Sequence, residues 1–345
     1  MKNFIYSLMT DKRNGMIYTV LKFILYLSSL AYGLIIFFRG LFYKFGVFKT
    51  SRVPIKIISV GNLTLGGTGK TPFVIRLANI LEKNVGKEAC VLIRGYGWDE
   101  QAMLKKNLKD IPVLVNEDRV KSARRAIKLY GSQAAILDDG FQHWELERDL
   151  DIVLIDSRSP FGNGHLFPRG ILREPKNAIR RAGVVVFTKV NKKMCDLDKL
   201  RSELKSINEK IVFLESIHKP KYLYDGKARK ELDLSFVRSK RAILVSSIGD
   251  PAYFEETVKD LGANVIEHIA FSDHHNYREF DILRIMKRCD ERKFDLLITT
   301  EKDTVKLNRM SMSFGSYAVV TLAVEIEITT GEGILIDRLH SLYNS

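Results

Sequence analysis

The stretch IKIISVGNLTLGGTGKTPFVIRLANILEK, residues 55–83, decides the fold. Its first six residues are mostly apolar and β-branched, as in a strand buried on both faces of a parallel sheet. From Phe73 onward the apolar residues recur at helical spacing. GNLTLGGTGKTP lies between, and strand, glycine loop, helix is the setting that a phosphate-binding loop requires. Gly66, Gly67 and Gly69, with Thr68 among them, let backbone N–H groups curl around a phosphate without Cβ clashes. The helix beginning near Lys70 turns its positive end toward the same anion. Lys70 would reach the β- and γ-phosphates, and the Thr71 hydroxyl would ligate Mg²⁺. Residues 66–71 are therefore the predicted ATP-binding set. The strict pattern G-x-x-x-x-G-K-[ST] asks for glycine at position 64, where this chain has Thr64.

Downstream, AAIL at 134–137 reads as a buried strand running into Asp138, Asp139 and Gly140. Carboxylates at the carboxyl end of a parallel strand sit in the crevice where ligands bind, and in phosphate-loop enzymes one of them holds Mg²⁺. Two adjacent carboxylates repel each other without a cation, which favours a metal site over a solvated turn. His143 follows at the same edge. Further apolar runs at 89–93, 152–155, 184–187, 242–246 and 295–298 read as buried parallel strands between helical segments. Residues 216–238 are polar and aperiodic and are expected to be an interdomain linker. GEGILIDRLHSLYNS at the end reads as an amphipathic helix.

Upstream, FILYLSSLAYGLIIFF at 23–38 carries no charge and is bracketed by Lys22 and Arg39. Sixteen helical residues reach about 24 Å, short of a hydrocarbon core of about 30 Å. The aromatics interleaved with Lys44 and Lys49 beyond it suit a headgroup-level anchor. A late start and the lack of a small-residue cleavage site speak against a signal peptide. The segment is read as a membrane anchor, either spanning or embedded in one leaflet; a short buried core helix is the bland alternative.

The 345 residues allow two domains. A formal charge of +14 favours an anionic partner, nucleic acid or lipid. The apolar anchor selects lipid, and no nucleic-acid module or obligate protein partner is evident. Cys90, Cys195 and Cys289 show no CxxC spacing, against a disulfide framework or a zinc site. Basic residues cluster at 168–181 (Arg169, Arg173, Lys176, Arg180, Arg181) and at 119–125. Either cluster could face phosphates or be a solvated surface.

The chain resembles the tetraacyldisaccharide 4′-kinases of lipid A biosynthesis. The resemblance rests on SVGNLTLGGTGKTP (59–72), RGYG (94–97), EDRV (117–120), ILDDGFQH (136–143), RDLDIVLID (148–156), GNGHLFPRGILREP (162–175), FTK (187–189), SIGDP (247–251), FSDHH (271–275) and TTEKDTVK (299–306). It implies an α/β fold: a P-loop NTPase-like parallel-sheet domain, a second, smaller α/β domain, a nucleotide cleft between them, and an N-terminal membrane helix. The expected division is 1–50 anchor, 51–215 kinase domain, 216–238 linker and 239–345 smaller domain. The implied reaction moves the γ-phosphate of ATP, with Mg²⁺, to the 4′-hydroxyl of an acylated disaccharide 1-phosphate. The product is of the lipid IVA type, made on the cytoplasmic face of the inner membrane. Lys70 and Thr71 match the family's phosphate-loop lysine and hydroxyl. Asp138 and Asp139 match its acidic pair, and Glu174 matches a glutamate linked to Mg²⁺. His274 matches a histidine that pairs with a catalytic aspartate from a GDEP motif. Here that stretch is shortened, and Asp99 aligns with the aspartate. Asp99 would accept the hydroxyl proton, helped by His274 from the other domain, so that cleft closure would gate chemistry. The main rival is a membrane-associated P-loop switch ATPase with no lipid acceptor; a second is a basic nucleic-acid-binding ATPase.

Overall fold

The computed structural model describes residues 2–95, 97–308, 314 and 317–344. Tyr96 of the RGYG motif and Ser345 of the terminal helix lie outside the described residues. In chain order the elements are α1 (Lys2–Met9), α2 (Met16–Lys44), β1 (Lys56–Asn62), α3 (Lys70–Lys83), β2 (Ala89–Ile93), α4 (Trp98–Asn107), β3 (Val113–Val115), α5 (Arg119–Tyr130), β4 (Ala134–Asp138), β5 (Leu150–Asp156), β6 (Val184–Thr188), α6 (Leu197–Ile207), β7 (Val212–Asp225), β8 (Lys230–Leu232), β9 (Arg241–Ser246), α7 (Pro251–Asp260), β10 (Asn264–Ala270), α8 (Glu279–Asp290), β11 (Leu296–Thr300), α9 (Glu301–Asn308), β12 (Val319–Thr330) and α10 (Glu332–Ser341). They form two compact units. The first comprises Met1–Tyr96, Leu108–Ile217 and Glu327–Ser345; the second comprises Gly97–Asn107 and His218–Ile326.

The first unit is a parallel sheet in the order β3-β2-β4-β1-β5-β6-β7. Strands β1, β2, β4, β5 and β6 are buried almost throughout. That is why each read as a continuous apolar run, with no alternation. On one face Phe141, Val153, Phe187, Leu200 and Leu204 form a core; on the other Ile57, Leu92, Ala123, Ala126 and Leu137 do. At the carboxyl edge, backbones approach too closely for a side chain. A Cβ on Gly61 would lie 2.5 Å from that of Phe141, and one on Gly140 2.6 Å from that of Leu137.

Helix α2 packs one stripe on this unit. Lys22 pairs with Asp11 at 2.7 Å, and Asp11 also holds Arg169. Tyr26 meets His165 edge to ring, Tyr32 donates to the Arg173 carbonyl at 3.0 Å, Arg39 donates to the Gln142 carbonyl at 3.0 Å, and Tyr43 packs on Trp144. The opposite stripe, with Phe23, Leu27, Leu34, Ile35 and Phe38, is exposed.

The second unit holds β10-β9-β11-β12, all parallel, with Leu244, Phe254, Val258, Ile298 and Leu322 in one core and Ile243, Ile282, Ile285 and Leu297 in another.

Three boundaries differ from the sequence expectation. Residues 216–238 are not a linker: they hold most of β7 and all of β8, which pair antiparallel. Beyond Ser216 the strand is only half-buried, so its residues could stay polar. Residues 97–107, expected in the kinase domain, belong to the second unit as α4. The C-terminal segment from Glu327, expected in the smaller domain, belongs to the first. There α10 buries Leu335 and Leu339, and Glu332 pairs with Arg76 of α3. All three cysteines are free, Cys90 and Cys289 buried.

Candidate active site

In the first unit the phosphate-loop motif spans the turn from β1 into α3. Gly66 (φ +117°) and Gly69 (φ +87°) take left-handed conformations that a side chain would strain. Thr64 stands where the strict motif has glycine because its backbone is paired. It forms an antiparallel bridge with Leu172, while Leu65 N donates to the Ile171 carbonyl and Arg173 N to the Leu63 carbonyl, each at 2.7 Å. The entry to the loop is thus stitched to the 162–175 segment and needs no positive φ.

Lys70 Nζ donates to Asn62 Oδ1 at 3.2 Å and lies 3.5 Å from Asp139. Asn62 donates in turn to the Thr64 carbonyl at 2.8 Å. Lys189, buried at the end of β6 with φ +59°, donates to the Gly67 carbonyl at 3.1 Å and pairs with Asp156. Neither Asn62 nor Lys189 was singled out from sequence, although Lys189 closes the FTK motif. The buried Thr68 hydroxyl has no hydrogen-bond partner among the described residues. An oxyanion in the loop would satisfy it.

Asp138 ends β4 opposite Val60, and Asp139 follows with φ +53°. Arg173 grips Asp139 through two bonds of 2.7 and 3.1 Å. Burial raises the Asp139 pKa, but Lys70 and Arg173 outweigh it and hold the carboxyl well below the usual range. Glu174 is only 4% exposed and pairs with Arg181 at 2.7 Å. Arg181 also stacks over Phe141 and Trp144. Asp139 and Glu174 are therefore already neutralised by cations. Among the described residues no group of three or more His, Cys, Asp or Glu side chains could cage a metal. The Mg²⁺ of a nucleotide is held mostly by phosphates and water, with one or two protein donors. Thr71 in the first turn of α3 and Asp138 at the β4 end fit that smaller demand.

Beside these residues opens a cavity of about 370 Å³. Tyr32, Ile36, Arg39 and Gly40 of α2 line it, as do Arg94, Arg119, Asp139, His143 and Arg173. Of the 168–181 cluster, Arg169, Arg173, Lys176 and Arg181 all pair with carboxylates. Burial and the surrounding arginines, Arg119 first, push the His143 pKa down to about 4.

The second unit places Asp99 and His274 together. His274 Nδ1 lies 3.6 Å from Asp99 Oδ2. Gly97 (φ +77°) permits the approach, since a Cβ there would sit 2.9 Å from Asp99 Oδ1. The proximity predicted for the pair is present, but the expectation that it bridges two domains is not: both residues belong to the same unit. What brings α4 there is α9. Lys306 Nζ lies 3.2 Å and Lys302 Nζ 3.8 Å from Asp99 Oδ2, and Lys302 also contacts Glu100 and Asp273. Burial raises the Asp99 pKa; His274 and the two lysines reverse that and hold it well below the carboxylate range. His274 is raised, chiefly by its contact with Asp99. The two lysines, four apart in TEKDTVK, were a legible signal that sequence reasoning left unused.

The model of the tetraacyldisaccharide-1-P 4′-kinase family matches residues 21–343. The chain belongs to this family. A tetraacyldisaccharide 4′-kinase of Syntrophus aciditrophicus (strain SB) is 37% identical over 312 residues, covering 82% of this chain and 83% of its own. One from Halothermothrix orenii (strain H 168 / OCM 544 / DSM 9562) is 35% identical over 324 residues, covering 84% of each. Among solved structures, LpxK from Aquifex aeolicus in complex with ATP superposes with a TM-score of 0.70 at 28% identity, covering 94% of this chain and 99% of its own. The tetraacyldisaccharide-1-P 4′-kinase family thus spans both units, and its P-loop α/β fold is the one observed.

Proposed function

We propose that this chain transfers the γ-phosphate of ATP to the 4′-hydroxyl of a tetraacyldisaccharide 1-phosphate at a membrane surface. The observation that carries this reading is the cavity in the first unit. One wall is the apolar helix α2; another is Asp139 and Arg173, and Asp139 touches Lys70. A substrate with acyl chains in lipid and a sugar hydroxyl to phosphorylate needs that combination. A switch ATPase does not.

The loop 66–71 would take the ATP phosphates, with the Thr68 hydroxyl and backbone N–H groups as donors and Lys70 as the counter-charge. Mg²⁺, held by Thr71 and Asp138, would neutralise charge on the phosphates when bound. Asp139 and Arg173 would set the position of Lys70, and Glu174, at the cavity wall, would be held by Arg181. Asp99 and His274 would form the proton-accepting pair. Asp99 is buried and surrounded by cations, so it is a weak base. His274, raised by Asp99, would receive the proton while Asp99 stabilises the imidazolium.

Helix α2 would lie in one leaflet. It contacts the first unit from Lys22 to Tyr43, so a fully spanning helix would drag residues 163–174 and Trp144 into hydrocarbon. The exposed stripe alone would face acyl chains, as in an interfacial helix. The need for ATP favours the cytoplasmic face, and with it the inner membrane, as the place where the protein would act. The test is ATP consumption by the full chain in detergent micelles, with and without the acylated disaccharide 1-phosphate. Consumption that depends on the lipid supports the kinase; the same rate without it supports the switch ATPase.

A further inference from the structure

Lys306 carries a charge in a place where charge is costly. It is 3% exposed, on α9, and its ammonium donates to Ser247 Oγ at 2.7 Å. Two carboxylates lie near it. Asp303, fully buried, is 3.8 Å away and is already satisfied by hydrogen bonds from Ser247 N (3.0 Å), the Ser247 hydroxyl, Tyr277 Oη (3.1 Å) and Thr300 Oγ1 (2.7 Å). Asp99 is closer, at 3.2 Å, and its buried Oδ2 has no aligned hydrogen bond among the described residues. Asp99 Oδ2 is therefore held by charge. An unpaired ammonium or carboxylate at this depth would be strongly unfavourable, so each ion fixes the other. The same Oδ2 is the atom that faces His274 Nδ1. Ser247, Tyr277, Thr300 and Asp303 form a rigid seat for the lysine, and the lysine in turn sets where the carboxylate points.

We propose that Lys306 is a positioning residue for phosphoryl transfer: from its seat on Ser247 and Asp303 it holds the Asp99 carboxylate charged and aimed at His274 Nδ1. This rests on the reading of Asp99 and His274 as the proton-accepting pair. A lysine that merely pins α4 to α9 would matter to the fold whatever stands at position 99. A positioning lysine matters to turnover only while position 99 is a carboxylate.

The test is a double-mutant cycle in the full chain, with Lys306→Met, Asp99→Asn and the pair combined, and with Lys306→Arg as the charge-keeping control. Turnover is read as lipid phosphorylation at saturating ATP and lipid, alongside KM for ATP. Lys306→Met should lower kcat about tenfold or more and leave KM for ATP within about twofold, and Lys306→Arg should recover most of the loss. In the Asp99→Asn background, Lys306→Met should change kcat by less than about twofold, because the group it acts through is gone. If the single Lys306→Met protein does not fold, the double variant, in which position 99 carries no charge and Asp303 keeps its hydrogen bonds from Ser247, Tyr277 and Thr300, still supplies that comparison against Asp99→Asn. A Lys306→Met enzyme with near-normal kcat would overturn the proposal while leaving the Asp99–His274 pair standing. An equal further loss in the Asp99→Asn background would also overturn it, by assigning the lysine to the fold. Near-normal kcat in Asp99→Asn itself would overturn the underlying reading of Asp99.

Discussion

Lowering the pH should destabilise the first unit through His143. The ring is half-buried, its Nε2 is buried without a hydrogen-bond partner among the described residues, and Arg39, Arg94, Arg119 and Arg148 surround it. Its pKa falls from 6.5 to about 4. The folded value lies below the unfolded one, so between these limits the unfolded chain binds the extra proton. Stability is then complete above about pH 6.5, falls as pH drops through the window, and levels off below about pH 4. Between about pH 7.5 and pH 5 the two titrations differ by about 2 kcal/mol. The perturbation is His143→Gln, which keeps a polar side chain but cannot titrate. The assay is urea unfolding at both pH values, read by Trp144 fluorescence in a Trp98→Phe background. The histidine protein should lose about 2 kcal/mol more than the glutamine variant on acidification. Equal losses would refute the reasoning, because they would mean that His143 is either hydrated or protonated in the folded chain.

Three further outcomes are expected. Lys70→Met should lower kcat by about 10²–10³-fold with an unchanged unfolding midpoint, since one charge at the transferring phosphate is worth several kcal/mol; steady-state kinetics check this. Arg181→Met should destabilise the chain by about 3–5 kcal/mol in urea unfolding by stranding buried Glu174, and adding Glu174→Gln should restore most of it. On α2, Leu34→Glu and Ile35→Glu, on side chains 59% and 66% exposed, should release protein into the soluble fraction without shifting Tm. Gly33→Leu, on the packed stripe where a Cβ would already meet Leu166 at 3.1 Å, should lower Tm instead.

The sheet of the first unit was legible because its strands are buried on both faces and read as unbroken apolar runs. The phosphate loop and the Asp138–Asp139 corner were legible because glycine and acidic residues at strand ends are local signals. Strand β7 was not: past Ser216 it is half-buried, and its KPKYLYD segment alternates weakly. The unit to which α4 belongs was not legible either. Nothing local in WDEQAMLKKN shows that Asp99 answers a buried lysine on α9, or which core its buried Met103 and Leu104 join. The same holds for Glu332, whose partner Arg76 lies on α3. The cation partners of the acidic residues were not legible for a related reason. Sequence shows where carboxylates stand, but not that Asp139 and Glu174 have Lys70, Arg173 and Arg181 beside them.

The most direct test of the central claim follows the phosphate itself. The full chain is incubated in detergent with γ-labelled ATP, Mg²⁺ and the acylated disaccharide 1-phosphate, and the lipid is extracted and its labelled position determined. The label should appear on the lipid at the 4′-oxygen, and should be lost with Lys70→Met. Label recovered only as inorganic phosphate, with the lipid unmodified, would contradict the account.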